Sequence, residues 1–222
     1  MFFGQQKLEL RLIYEVSLKQ HDYKTKLKSG QKQFNKIAKE SGKKTLILDV
    51  KNDESFFYLS SKMESDAQKK FDLLSVFIGN NKYYYNSSNN LSITEKIFLG
   101  ENFMIVKEPN FSWNLTQEQL VIGKHNCYKA TAIKEVTNRL GKKIKKEILV
   151  WYALEIPVRA GIKDFQGLPG AIVYLEAEGL VYKLSEIITK PDNGIQIEKP
   201  SKGKIVTQEE FDKILLRINK VR

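Results

Sequence analysis

The chain has 222 residues and a mass of 25.7 kDa, enough for one generous domain with its own core but not for two full ones. A hydrophobic fraction of 41% with 11% aromatics lies far above the disordered range. One cysteine excludes an internal disulfide, and with two histidines it leaves too few soft ligands for the usual four-ligand structural zinc site. The net charge of +11 raises nucleic acid, acidic membrane surfaces and anionic polysaccharide as partners. Only Arg11, Arg139, Arg159, Arg217 and Arg222 carry guanidinium groups, however, and the lysines are scattered, so a base-reading nucleic-acid site is not expected.

Residues 1–6, Met-Phe-Phe-Gly-Gln-Gln, lack a basic n-region and a full apolar h-region but read as the remnant of a secretory signal, with the mature chain starting near Gln5. No segment has the 18 consecutive apolar residues a membrane helix needs, so no transmembrane segment is expected in the mature chain. From Leu8, apolar residues at every second position through Leu18 predict a half-buried antiparallel strand. Lys24 to Lys44 holds eight lysines and one acidic residue, with Phe34, Ile37 and Ala38 on one short helical face. Two strands follow around an Asn52-Asp53 turn, Thr45–Val50 and Ser55–Ser60, and Phe71, Leu74 and Ile78 predict a helix over Asp66 to Ile78 that Gly79 ends.

Gly79 to Asn90 reads as a surface hairpin; its three adjacent tyrosines, Tyr83 to Tyr85, point to alternate faces, which limits any base- or sugar-stacking platform to two of them. Short strands are expected at Leu91–Thr94, Phe103–Lys107 and Phe111–Thr116, with a Pro109-Asn110 turn. Two long strands, Gln119 to Val136 and Lys143 to Ile156, follow, the second apolar on both faces at its end and therefore expected to be central. Pro169-Gly170 suits the centre of a type II turn. Ala171–Ala177 and Leu180–Ile188 form a hairpin about Glu178-Gly179, and Lys190 to Val206 reads as a connector. Thr207-Gln-Glu-Glu210 is a capping box that starts a helix with Phe211, Ile214, Leu215 and Ile218 on one face. The sum is an α+β fold: a curved, mostly antiparallel sheet of about 9–10 strands with two or three helices, including a C-terminal amphipathic one.

Chemistry is sparse. His125 and Cys127, at i and i+2 on one strand face, could form half a metal site or a Cys–His nucleophile pair, but a packed structural Cys127 is the simpler reading. Glu176 and Glu178 pair beside a hairpin tip, where solvation is commoner than acid–base work. No nucleophile elbow, glycine-rich phosphate loop or zinc-protease helix is present.

Residues Trp113 to Tyr174 carry Trp113, Val121-Ile-Gly123, Cys127-Tyr-Lys129-Ala130, Trp151-Tyr152, Glu155-Ile-Pro157 and Phe165-Gln-Gly167-Leu168-Pro169-Gly170-Ala-Ile172. In order and spacing this set resembles the GLPGLI family of Gram-negative envelope proteins. Two departures are Ala171 in place of the leucine of the name and Ile162 where a proline often follows the glycine. The resemblance implies residues 7–189 as a single GLPGLI-type domain, with a connector and helix over 190–222 packed on it. It implies export to the periplasm or outer membrane and association with a TonB-dependent receptor or another envelope protein, with no established activity. Gly167 to Gly170 then reads as a rigid turn feeding the last hairpin, with partner docking as a sharper possibility. The expectation is a non-enzymatic binding or accessory module with no cofactor and no metal. The alternatives are a hydrolase or processing enzyme with a site near His125 and Cys127, and a carrier of an apolar ligand by analogy with lipoprotein-carrier folds.

Overall fold

The computed structural model of the protein describes residues 8–20, 28–60, 72–109, 111–137 and 141–220. The expectations for residues 1–6, Asn110 and the 66–71 part of the second helix fall outside them. The strands are β1 (Glu9–Leu18), β2 (Lys44–Lys51), β3 (Glu54–Leu59), β4 (Lys82–Asn86), β5 (Leu91–Phe98), β6 (Glu101–Lys107), β7 (Asn114–Ile122), β8 (His125–Thr137), β9 (Lys143–Ala153), β10 (Ala171–Ala177), β11 (Leu180–Ile188) and β12 (Lys204–Thr207). The helices are α1 (Ser29–Glu40), α2 (Leu73–Ile78) and α3 (Gln208–Lys220). Among the described residues twelve strands form one open sheet in the order β12-β6-β5-β4-β3-β2-β1-β11-β10-β9-β8-β7.

This corrects the expected α+β fold with a curved sheet of about 9–10 strands. The sheet is mixed, because β12 pairs with β6 in parallel, and the three short helices form no continuous layer: α3 packs at the β12–β6 edge, while α1 and α2 lie together beside β1 in mid-sheet. Two sequence readings hid strands. The long strand proposed over Gln119 to Val136 is cut by a turn at Gly123, whose φ of +61° only a glycine adopts freely, so its two halves pair as β7 and β8. The supposed connector contributes β12. The doubly apolar β9 is third from the β7 end of the sheet rather than central; its inner face is covered by the chain that follows it.

Local chemistry accounts for the elements. Along β1, Leu10, Leu12, Tyr14, Val16 and Leu18 are buried while the intervening side chains are partly exposed, as the alternation requires. Glu178 and Gly179 both take positive φ, 55° and 81°, the backbone of a two-residue hairpin turn that follows the strands' twist. Asp72 caps α2 by accepting from the Leu74 and Ser75 amides at 3.0 and 3.3 Å. At α3, Glu210 N–H donates to the Thr207 hydroxyl at 3.2 Å while Thr207 N–H donates to the Glu210 carboxylate at 2.8 Å, a complete capping box.

The inner face of the sheet holds the main core, in which Phe57 contacts Tyr14, Tyr83 and Tyr182 at ring distances of 6.2, 6.2 and 6.3 Å. A smaller core joins α3 to the sheet through Phe211, which sits edge-on to Phe103 at 5.3 Å and Phe98 at 5.7 Å. On β4, Tyr83 and Tyr85 turn toward the main core and Tyr84 to the opposite face, and all three are buried, so the tyrosine triplet is packing and not a surface platform.

Candidate functional site

Most of the signature residues converge on one feature, the segment 154–170 that leaves β9 and returns as β10. Ile156, Val158, Ala160, Ile162, Phe165 and Leu168 are buried in the main core, so this segment fills the inner face of the sheet as a plug. Its backbone lies so close to its neighbours that two glycines are obligatory. A Cβ on Gly161 would stand 1.7 Å from the Phe165 carbonyl oxygen, and one on Gly170 2.1 Å from that of Ala153. The expected type II turn is corrected here: Gly170 is not in the left-handed region, whereas Gly167, at φ +91°, is. Gly170 is a glycine because of the Ala153 carbonyl. Trp113 locks the plug from β7's entrance, donating Nε1–H to Gln166 O at 2.7 Å and stacking with Phe111 at 4.9 Å, which in turn meets Phe165 edge-on at 5.4 Å. The buried Gln166 amide accepts from Gly161 N–H and donates to Lys163 O at 2.8 Å. Leu168 is buried, while Pro157, Gly167 and Pro169 face solvent.

The plug also carries charge inward. Lys163 Nζ lies 2.5 Å from Glu178, and Lys134 Nζ of β8 lies 2.8 Å from the same carboxylate and 3.6 Å from Asp164. Lys107, at the end of β6, reaches Asp164 at 2.6 Å. In the sheet order β6 and β8 stand nine places apart, about 43 Å along a flat sheet at the usual strand spacing. Both lysines nonetheless reach Asp164, so the plug ties these distant strands together. Burial opposes ionisation of Glu178, but Lys163 and Lys134 outweigh it and hold its carboxyl far below the ordinary range; Asp164 is lowered in the same way by Lys107 and Lys134. Burial opposes charge on Lys163 as well, and the Glu178 carboxylate beside it keeps it an ammonium. The network clamps strands to plug and leaves Glu178 no role as an acid at neutral pH.

The remaining signature residues lie on the flanking strands. Lys129 pairs with both Glu118 carboxylate oxygens at 2.9 Å, Trp151 is half-buried between Lys129 and Tyr174 in register, and the Tyr152 ring sits 6.1 Å from that of Tyr128. His125 Nδ1 is 2.6 Å from Glu155. Cys127 is fully buried, its thiol donates to the main-chain oxygen of His125 at 3.5 Å, and burial pushes its pKa up. The imidazole therefore turns to Glu155 and away from the sulfur, which argues against a Cys–His nucleophile. The plug occupies the space an acyl chain would need, which argues against an apolar carrier. Among the described residues no group of three or more His, Cys, Asp or Glu side chains could hold a metal ion, and no helix is long and apolar enough to cross a membrane.

An accessible site lies on the outer face over β2 to β6, apart from the strands that carry the signature residues. A groove of about 570 Å³ runs across five consecutive strands. Asp49 of β2, Phe56 and Tyr58 of β3, Lys82 of β4, Glu95 of β5 and Asn102 of β6 form its floor. Residues 196–202 form its wall. Arg11 grips Asp49 through Nε at 2.6 Å and Nη2 at 2.9 Å, and Tyr58 OH donates to the same carboxylate at 3.0 Å. Burial, with the Asp49 charge, pushes the Tyr58 hydroxyl to about 12, so it stays a neutral donor. The period-2 pattern of β3 placed Phe56 and Tyr58 on one face, but only the fold shows that this face stays open under a strap.

No protein family and no curated protein matches the chain. Among solved structures it is similar to PNGF-II in two crystal forms. The TM-score is 0.56 over 96% of this chain and 34% of that one in the P21 form, and 0.55 over 94% and 32% in the C2 form, each at 13% identity. The chain thus spans about a third of the PNGF-II chain, and the likeness is one of fold alone.

Proposed function

We propose that the protein is a non-enzymatic envelope binding module of the GLPGLI kind, exported to the periplasm or outer membrane, where it serves a TonB-dependent receptor. The observation that carries this reading is the division between the two faces. Most of the signature residues seat the plug or close the inner face beside it, while the outer face over β2 to β6 offers a built groove whose Asp49 and Glu95 carboxylates are each paired to a cation, to Arg11 and to Lys82 at 3.3 Å. Paired carboxylates accept hydrogen bonds well and serve poorly as proton shuttles. The test is fractionation of a Gram-negative cell that expresses the full gene product, followed by immunoblotting of each fraction and affinity isolation from solubilised outer membrane. Recovery in the envelope together with a TonB-dependent receptor supports the reading. A purely cytoplasmic protein overturns the compartment, and an envelope protein isolated without a receptor overturns the accessory role.

A further inference from the structure

From the groove's chemistry we infer that its ligand is a short neutral saccharide. The inference rests on the reading of the protein as a binding module and adds the class of ligand.

The floor supplies an aromatic platform. Phe56 and Tyr58, two apart on β3, share the outer face, with ring centroids 5.4 Å apart and planes inclined by 36°. Both rings are half-buried and both line the groove. The electron-rich face of an aromatic ring attracts the polarised C–H edge of a sugar ring and loses little by covering it. The Tyr58 ring is held in place by its hydroxyl's bond to Asp49, and Asp49 by two bonds from Arg11, so the platform is ordered before any ligand arrives.

Around the platform stand groups suited to hydroxyls. Asn102 and Gln196 each offer a donor and an acceptor. Lys82 and Glu95 form an exposed pair at 3.3 Å, weak enough to turn toward a ligand. The lining carries Asp49, Glu95 and Glu198 against Lys82, Lys199 and Lys202, and Arg11 neutralises Asp49 from the neighbouring strand. On a protein of net charge +11 the groove is therefore only weakly positive, and it offers an anionic ligand little. A lipid tail would strand these polar groups, and an added peptide strand would find no free edge, because β2 to β6 are each paired on both sides.

The wall is anchored rather than draped. Ile195 is fully buried, its carbonyl accepts from Lys51 Nζ at 2.7 Å, and its N–H donates to Glu9 at 3.2 Å. Ile197 packs against Tyr84, Ile93 and Met104, and the chain rejoins the sheet as β12. Gly203, at φ +138°, passes so close to the Asn102 carbonyl that a Cβ would stand 2.9 Å from it. Between these anchors residues 198–202 arch beside the floor. The floor crosses four inter-strand gaps, about 19 Å at the usual strand spacing, which suits a chain of sugar rings better than a single ring.

The test is saturation-transfer NMR and calorimetric titration of the purified protein with four probes: maltotriose, cellotriose, tri-N-acetylchitotriose and, as the anionic comparator, trigalacturonate. At least one neutral trisaccharide is expected to bind saturably, and Phe56→Ala and Gln196→Ala are each expected to weaken it at least tenfold. Gln196 lies exposed on the wall, so its replacement spares the core, and near-ultraviolet circular dichroism confirms the fold of both variants. The inference is overturned if no neutral probe binds, if trigalacturonate binds more tightly than all of them, or if both variants bind like the parent. Failure here with a protein found in the envelope removes the ligand class alone. Saccharide binding by a cytoplasmic protein removes the compartment alone.

Discussion

Glu178→Gln tests whether the buried charge network clamps the plug. The substitution keeps the side-chain volume and the positive-φ turn geometry but removes the carboxylate that holds Lys163 at 2.5 Å and Lys134 at 2.8 Å. Lys134 keeps Asp164 at 3.6 Å, whereas Lys163, with 11% of its side chain exposed, loses its closest anion. Removing one partner of a fully buried pair costs about 3–5 kcal/mol; Glu178 retains 24% exposure, so a cost of about 2–3 kcal/mol is expected. In a chain of this size that lowers Tm by about 5–10 °C. The pH dependence follows from the lowered carboxyl. Its stabilisation is complete above its ordinary value of 4.5 and is lost as the pH falls below it, at about 1.4 kcal/mol per pH unit while the folded carboxyl stays ionised. Urea melts of parent and variant should therefore differ by about 2–3 kcal/mol at pH 7 and converge by about 2 kcal/mol at pH 3. Adding Lys163→Met, which keeps the apolar stem and removes the stranded ammonium, should recover at least half of the loss. A cost under about 1 kcal/mol at pH 7, or a gap unchanged down to pH 3, would refute the clamp.

Three further substitutions probe the plug and its surroundings. Gly170→Ala, whose Cβ would stand 2.1 Å from the Ala153 carbonyl oxygen, is expected to cost at least about 3 kcal/mol in urea melts, whereas Gly30→Ala, with nothing within 4 Å, costs nothing; equal melts would remove the close-approach explanation. Trp113→Phe leaves Gln166 O without its 2.7 Å donor and should lose about 1–2 kcal/mol, read as a Tm drop of a few degrees; an unchanged Tm would show that the indole N–H is not what locks the plug. The Cys127 thiol, fully buried with its pKa raised, should react with a chromogenic disulfide only at the rate of unfolding, so rapid labelling of the native protein at pH 8 would contradict its burial.

The strand alternation of β1, the β10–β11 hairpin and the capping box of α3 were legible in the sequence, because each is decided by neighbours two to four residues away. What depends on distant partners was not. Gly170 looks like a turn residue until Ala153 arrives against it from the end of β9, and Glu178 looks like a solvated tip until Lys134 and Lys163 close on it. The strand β12 hides in a lysine-rich stretch because its pairing energy comes from β6, about a hundred residues earlier. The groove was invisible for the same reason: its lining is drawn from five strands and a strap, and no two of those elements announce each other by spacing. Even Phe56 and Tyr58, plain members of an alternating strand, become a platform only because Arg11 and Asp49 prop one of them in place.

The plug and the groove also carry opposite structural constraints. A residue such as Gly161, whose replacement would drive a Cβ within 1.7 Å of a carbonyl oxygen, is fixed by the fold whatever the protein binds. The residues of the groove carry no such constraint: Lys82, Asn102 and Gln196 are exposed, and exchanging them costs the fold little. A scaffold of this kind can hold its plug constant while the outer face is rewritten for different ligands. Grafting the six floor side chains onto the matching strands of another protein with the same plug should therefore transfer the ligand preference without loss of stability. A graft that folds with an unchanged Tm but binds none of the parent's saccharides would place specificity in the strap.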